Sequence, residues 1–328
     1  MNRNLSSGAA EQLTATRRTV LKLLAATAAL GPSQAMTKGA AKGELPRRLL
    51  GKTGEHVSLL GLGGAHLSHY GNVTEELAVT MVRTAIDEGL TFMDNAWNYT
   101  QGLSEERMGK ALADGYRDRA FVMTKEISRN PKVAIPRLEQ SLRRLRTETI
   151  DLWQFHGIQS PDDPRRIYED GLLEATLRVR EQGKIRFIGF TGHFHPALHV
   201  EMIERGFAWD AMQMPINVVD PHYLSFVEEV LPVAVQKGIG VIAMKTMAGT
   251  PGTLAQRNVA TAAECLRYAM SLPVSTVCSG IDSMSKLRRN IETVRQFEPL
   301  KEPEIEALLK RTASAGQDGQ LEGYKSRS

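Results

Sequence analysis

Short apolar runs alternate with helical patterns along most of this chain. "VSLLGLGG" (57–64) precedes a helix near 75–88, and "TFMD" (91–94) a short helix from Ser104. "FVMTKE" (121–126) precedes "PKVAIPRLEQSLRRLR" (131–146), where Leu138, Leu142 and Leu145 recur at helical spacing. "IDLWQFHG" is followed by a helix near 170–182, "IRFIGFTGH" by one near 196–205, and "AMQMPIN" by one near 225–237. "GVIAMKT" precedes a helix near 258–270 and "VSTVCSG" one near 284–296. These make eight strand–helix units. The strand segments are continuously apolar, as parallel strands covered on both faces must be. Eight such units predict an α/β fold, a (β/α)8 TIM barrel over residues 44–300. "RRLLGKTGEH", ahead of the first strand, predicts a small hairpin that closes the barrel floor.

The rival architecture is a doubly wound sheet that binds a dinucleotide through a glycine fingerprint. Its one candidate is "GLGGAH" (61–66), where His66 stands in the third glycine's place, so the fingerprint fails. After residue 300, "LKEPEIEALLKRTASAGQDGQLEGYKSRS" predicts one helix and then a polar tail over 301–328.

Charge changes the picture only at the N-terminus. The formal net charge is +4. Of this, +3 falls in residues 1–35, where Arg3, Arg17, Arg18 and Lys22 face Glu11 alone. A nearly neutral remainder gives no argument for nucleic acid or an anionic membrane. Beyond residue 35 no apolar stretch approaches the roughly 20 residues of a membrane span. "TRRTVLKLLAATAALGPSQA" has paired arginines, a short apolar run and small residues at Ser33 and Ala35. That is the plan of a signal peptide over residues 1–35, cleaved after Ala35, followed by a Gly/Ala/Lys-rich linker over 36–43. "TRRTVLK" resembles the twin-arginine export signal, with Val20 where that signal usually has Phe. The expected partner is then the export machinery and the expected location the periplasm; an amphipathic basic tail and a cytoplasmic protein are the alternative.

Cys265 and Cys278 could form one disulfide in an oxidising compartment. Their expected positions, a helix and a buried strand, favour two buried free thiols. There is no CxxC, so neither a zinc nor an iron–sulfur site is expected.

Candidate chemistry collects at the strand ends, where such barrels carry their catalytic side chains. Asp94 ends the second strand, Lys125 the third and His156 the fourth, with Tyr99 just beyond Asp94. Singly these read as a helix cap, a surface cation, a core imidazole and a loop anchor. All four on one face of one barrel make a site. Here the chain resembles the aldo/keto reductases over residues 45–298. The resemblance rests on "RRLLGKTGEHVSLLGLGG", "FMDNAWNYTQGLSEERMGKAL", "VMTKE", "SLRRLRTETIDLWQFHG", "GKIRFIGFTGH" and "IETVRQF", in family order. It implies an NAD(P)H-dependent reduction of a small aldehyde or ketone, with an Asp–Tyr–Lys–His tetrad at Asp94, Tyr99, Lys125 and His156.

The physics of carbonyl reduction agrees with those roles. A free phenol has a pKa near ~10 and gives up its proton reluctantly. A cation about 4 Å away interacts by roughly 4 kcal/mol at an effective dielectric near 20. That would lower the phenol's pKa by up to about three units, with desolvation opposing the shift. Lys125 is the expected cation, Asp94 the anion that keeps it charged, Tyr99 the general acid and His156 the donor to the substrate oxygen.

The resemblance also implies a cofactor site. The family's Ser-Asn pair after the fifth strand falls on Thr191 and Gly192, with His193 beside the missing Asn, and its sixth-strand Gln on Gln213. Met244 stands where an aromatic residue often stacks on the nicotinamide, and Ala243, Met244 and Lys245 spell the "AMK" of some family branches. The loop "AGTPGTL" (248–254) would drape the pyrophosphate. Gly280, Lys286, Arg289 and Asn290 fall at the adenosine 2′-phosphate site, and their cations point to NADP, with NAD the alternative. His193, His195 and His199 lack a spaced carboxylate or thiol to complete a metal site, so no metal is expected. Pro196 marks a helix start instead. His66, His69 and Trp97 are expected to rim the substrate pocket, with Trp97 as a wall. Two alternatives stand beside the reductase. One is an exported barrel that retains a tightly bound cofactor for a redox-neutral isomerisation or elimination. The other is a cofactor-binding, redox-sensing module.

Overall fold

The computed structural model describes residues 44–68, 73–249 and 252–325. The expected signal peptide (1–35) and linker (36–43), His69, and Thr250 and Pro251 of the glycine loop lie outside the described residues. Among the described residues no helix is long and apolar enough to cross a membrane.

Two short strands, β1 (Arg47–Leu49) and β2 (His56–Ser58), pair antiparallel. Eight more follow: β3 (Leu60–Gly63), β4 (Phe92–Asp94), β5 (Phe121–Glu126), β6 (Ile150–Phe155), β7 (Ile185–Thr191), β8 (Ala211–Pro215), β9 (Gly240–Met244) and β10 (Thr276–Gly280). They close into a parallel barrel in sequence order, with β10 pairing β3, as the alternating pattern predicts. The single apolar run 57–64 is divided between two sheets. Residues 56–58 belong to the hairpin, and the barrel strand starts only at Leu60.

The barrel interior is one apolar cluster, plugged from below by Leu50 and Val57 and filled by Phe92, Phe121, Met123 and Leu152. The Phe92 and Phe121 rings stack at 5.6 Å. Arg48 locks the hairpin to the barrel wall by donating to the carbonyls of Met270 (2.8 Å), Val274 (2.9 Å) and Leu272 (3.0 Å). These include orphan carbonyls at the end of helix Ala262–Ser271.

Helix starts follow capping chemistry. Helix Pro131–Leu145 is capped by Asn130, whose side chain accepts from the Lys132 amide, and buries Leu138, Leu142 and Leu145. Two expected helices are shorter than their patterns. The one near 258–270 begins at Ala262, because Thr261 and Glu264 form a reciprocal capping box. The one near 225–237 divides into Phe226–Glu229 and Leu231–Lys237, since Pro232 has no amide hydrogen to continue the ladder.

The end of the chain corrects its expectation. Helix Glu302–Gly316 buries Ile305, Leu308 and Leu309 in the main core. Of the described residues after it, Leu321, Glu322 and Lys325 are buried, so that part is not the solvated polar end expected.

Candidate active site

Asp94, the last residue of β4, is 4% exposed, and Lys125 on β5 is 1% exposed. The Lys125 ammonium donates to Asp94 Oδ1, to the Asn95 carbonyl (2.7 Å) and to the Tyr99 hydroxyl (3.4 Å). Its three hydrogens therefore have three acceptors, which fixes its direction. Burial pulls the ammonium toward neutrality, but Asp94 and then Tyr99 more than offset this and hold it above the usual lysine range.

Tyr99 opens a tight turn, Tyr99–Gly102, in which Thr100 and Gln101 are left-handed (φ 47° and 58°) and Gly102 has φ 99°. Two non-glycine residues in that region store strain beside the Tyr99 hydroxyl. What holds them is the next helix, Leu103–Ala111. Ser104 Oγ donates to the Gly64 carbonyl (2.7 Å), and buried Glu105 accepts from Thr124 Oγ1 (2.6 Å) and from Arg144 (3.3 Å). The glycines of "GLGG" serve close packing. A Cβ on Gly64 would lie 2.4 Å from the Asp94 carbonyl oxygen.

The Tyr99 phenol corrects an expectation. Burial raises it, Lys125 opposes this, Asp94 adds to it, and the outcome is a pKa of about 12. The lysine's lowering effect is real but smaller than desolvation. His156, beyond β6, meets the Tyr99 ring edge-on at 5.8 Å. Burial and then the Lys125 charge hold its imidazole well below the usual value, so it is neutral and keeps one N–H to donate. Its Nδ1 has no partner among the described residues.

Asp94 has two further donors that the sequence did not reveal. Gln213 Nε2 donates to Oδ2 at 2.8 Å, and the Cys278 thiol donates to the same oxygen at 2.9 Å. Parity along β8 and β10 could have placed both side chains inside the barrel, but only closure of the sheet brings them to Asp94. Cys265 and Cys278 are both free and buried.

Above these residues runs a groove of about 470 Å³. Asp94, Tyr99, His156, Thr191, Gln213, Met244 and Lys245 line it, as do His66, Gly280, Lys286, Arg289 and Asn290. Lys286 pairs with Asp282 (2.7 Å), and Asn290 donates to Ser279 (3.1 Å). His66 lies against Gly280, where a Cβ would come within 2.1 Å of the imidazole.

Two predicted site residues are not brought in. Gly192 is buried beneath the groove, where a Cβ would meet His199 and the Ile158 carbonyl at 2.8 Å. Trp97 turns outward: its Nε1 donates to Gln140 (2.9 Å), and the Arg137 guanidinium sits 3.8 Å from its ring centroid. Two helix cations pack on the indole, and Trp97 is not among the residues that line the groove. His195 caps helix Pro196–Glu204 by accepting from the Ala197 amide. His199 is buried against Phe226.

The groove fits a nicotinamide dinucleotide on its own evidence. Gln213 Oε1 is buried without a partner among the described residues, an acceptor waiting for an amide N–H. Gly249 and Gly252 also line the groove with positive φ (107° and 97°), leaving backbone without side chains in the way.

Comparison with known proteins agrees. The model of the aldo/keto reductase family matches residues 59–264. L-galactose dehydrogenase of Arabidopsis thaliana is 28% identical over 309 residues, covering 80% of this chain and 93% of that protein. Among solved structures, the holo form of aldo-keto reductase AKR11C1 from Bacillus halodurans superposes with a TM-score of 0.70 at 25% identity, covering 85% of this chain and all of that one. The Bombyx mori aldo-keto reductase AKR2E4, solved in complex with NADP, shares the fold with a TM-score of 0.63 at 19% identity, over 82% of this chain and 93% of that chain.

Proposed function

The chain belongs to the aldo/keto reductase family, and from that premise we propose that it reduces an aldehyde or ketone with NADPH, Tyr99 acting as the general acid. The observation that carries this reading is the Asp94–Lys125–Tyr99 chain at the base of an open groove. Thr191 and Gln213 would hold the carboxamide, the Gly249 and Gly252 backbone the pyrophosphate, and Gly280, Lys286, Arg289 and Asn290 the adenosine end. When bound, the reduced dinucleotide supplies a hydride to the carbonyl carbon. Arg289 has no carboxylate partner among the described residues, and with Lys286 it supports NADP over NAD.

The neutral His156 donates to the carbonyl oxygen and aims it at Tyr99. As negative charge grows on that oxygen it becomes far more basic than a phenolate, so the Tyr99 proton transfers downhill even from a phenol at about 12. Lys125, kept charged by Asp94, stabilises the phenolate left behind. Gln213 and Cys278 keep the carboxylate pointed at the lysine.

The test is NADPH-dependent reduction of 4-nitrobenzaldehyde. Tyr99→Phe should lower kcat by about 10²–10⁴-fold with cofactor binding retained. Unchanged turnover in that variant rejects the role of Tyr99.

We also propose that residues 1–35 direct export by the twin-arginine route, a reading supported by "TRRTVLK" alone. Fractionating cells that express the chain and its Arg17→Lys/Arg18→Lys variant checks it. The parent should appear outside the cytoplasm and the variant inside.

A further inference from the structure

The family resemblance counts Lys245 among the cofactor-binding residues, but the assignments proposed above give it no contact with the dinucleotide. Lys245 follows Met244 directly at the mouth of β9 and lines the groove, as His193 does. Its backbone is left-handed (φ 54°), a conformation that a lysine rarely adopts without reason. Its ammonium lies 4.7 Å from the centroid of the Tyr324 ring, and that ring meets His193 edge-on at 5.4 Å. No carboxylate among the described residues pairs with it, and burial alone lowers its pKa. It shares the groove lining with His156 and His193, and its charge is felt at both. The cations assigned to the adenosine end, Lys286 and Arg289, stand on a different element, helix Met284–Arg295.

The aromatic wall beneath Lys245 is built rigidly. Tyr324 comes from the chain end, and its hydroxyl donates to Glu322 Oε1 (2.7 Å) and accepts from Asn217 Nδ2 (3.1 Å). Lys325, the next residue, is buried and bonded to Asp220 and Glu322 at 2.8 and 2.7 Å. The tail therefore presents a fixed ring face that attracts the ammonium but cannot neutralise it. A partly desolvated cation held this way lacks one thing, an anion.

We propose that the substrate carries an anionic group, a carboxylate in the simplest case, which Lys245 binds between Tyr324 and His193 while His156 and Tyr99 engage the carbonyl oxygen. This rests on the carbonyl-reductase reading above and deepens it. Its rival is that Lys245 contacts the dinucleotide's pyrophosphate.

The experiment compares 4-carboxybenzaldehyde with its neutral counterpart 4-carbamoylbenzaldehyde, using NADPH and the full chain. A charged hydrogen bond predicts a kcat/KM ratio of about tenfold or more in favour of the acid. Lys245→Gln should bring that ratio close to one, and Lys245→Arg should keep most of it. NADPH affinity, titrated by fluorescence in each variant, separates the rival. If Lys245→Gln weakens NADPH binding and both substrates lose equally, the lysine belongs to the dinucleotide and the proposal is overturned. Equal kcat/KM for acid and amide in the parent chain also overturns it, and the reductase reading survives. If neither aldehyde is reduced although NADPH binds, the reductase reading fails and takes this proposal with it.

Discussion

Two lysines among the described residues are almost wholly buried, and each is paired with an aspartate. Lys125 bonds Asp94, the Asn95 carbonyl and Tyr99. Lys325 bonds Asp220, the Tyr223 carbonyl and Glu322. Desolvation opposes both ammonium groups, and neighbouring carboxylates more than restore them. What differs is the third acceptor. For Lys125 it is a hydroxyl that lines the groove; for Lys325 it is a second buried carboxylate. Asp220 also accepts from Ser225 and from the Phe226 and Val227 amides, so that site is satisfied entirely from within. Both ammonium groups spend all their donors on the protein; they differ in that one of Lys125's acceptors is a hydroxyl lining the groove, whereas both side-chain partners of Lys325 are buried carboxylates.

Replacing each lysine by Met is the strongest test of that contrast. Lys125→Met should reduce turnover by about 10²–10⁴-fold, as loss of a group that supports the acid does. Lys325→Met strands the Asp220 and Glu322 carboxylates and should cost about 3–5 kcal/mol in urea unfolding. The contrast fails if Lys325→Met unfolds at the same urea concentration as the parent, or if Lys125→Met keeps parental turnover.

Acid should affect the upper rim of the barrel next. Burial lowers the His199 imidazole to about 3 and His193 to about 4. Below an ordinary histidine pKa of about 6.5 the unfolded chain therefore binds more protons than the folded one. Their contribution to stability is complete above about pH 6.5 and is lost as the pH falls toward those depressed values. Unfolding free energies measured at about pH 7, 5 and 4 should fall steadily, and His199→Gln should flatten that fall. An identical slope in the variant would mean other groups control the acid limb.

The pH dependence of reduction sharpens the catalytic half. With Tyr99 at about 12 the general acid stays protonated throughout the neutral and mildly basic range. The kcat profile for reduction should show no loss of the tyrosine proton between about pH 6 and about pH 10. A basic limb there that disappears in Tyr99→Phe would place the phenol's pKa much lower.

The smallest effect is expected at Cys278. Cys278→Ala removes one of the donors on Asp94 Oδ2 while Gln213 remains, so a several-fold loss in kcat is expected, about 1 kcal/mol. Cys278→Ser, which restores a donor, should recover most of it. If Ser and Ala variants are equally slow, the thiol acts through packing rather than through its hydrogen.

Much of this molecule was legible before folding. Eight apolar runs with intervening helical patterns dictate a closed parallel barrel, because continuous apolar strands must be covered on both faces. Strand ends then placed Asp94, Lys125 and His156 on one rim. Trp97 was misread because rim position says nothing of direction; Arg137 and Arg144, some 40 residues on, turn it away from the groove. The tail was misread because its lysine and glutamate look solvated until Asp220 and Asn217, more than 100 residues earlier, are brought beside them.

Sequence alone determined the barrel and the kinds of groups at its mouth, since periodicity and chain order are local properties. Tertiary structure decided which charge meets which, that Gln213 and Cys278 converge on Asp94, and that the Tyr324 ring lies under the Lys245 ammonium. Those outcomes depend on distances between residues far apart in the chain. In a desolvated interior, a few ångströms decide whether an ammonium is neutralised, put to chemical use, or left seeking an anion.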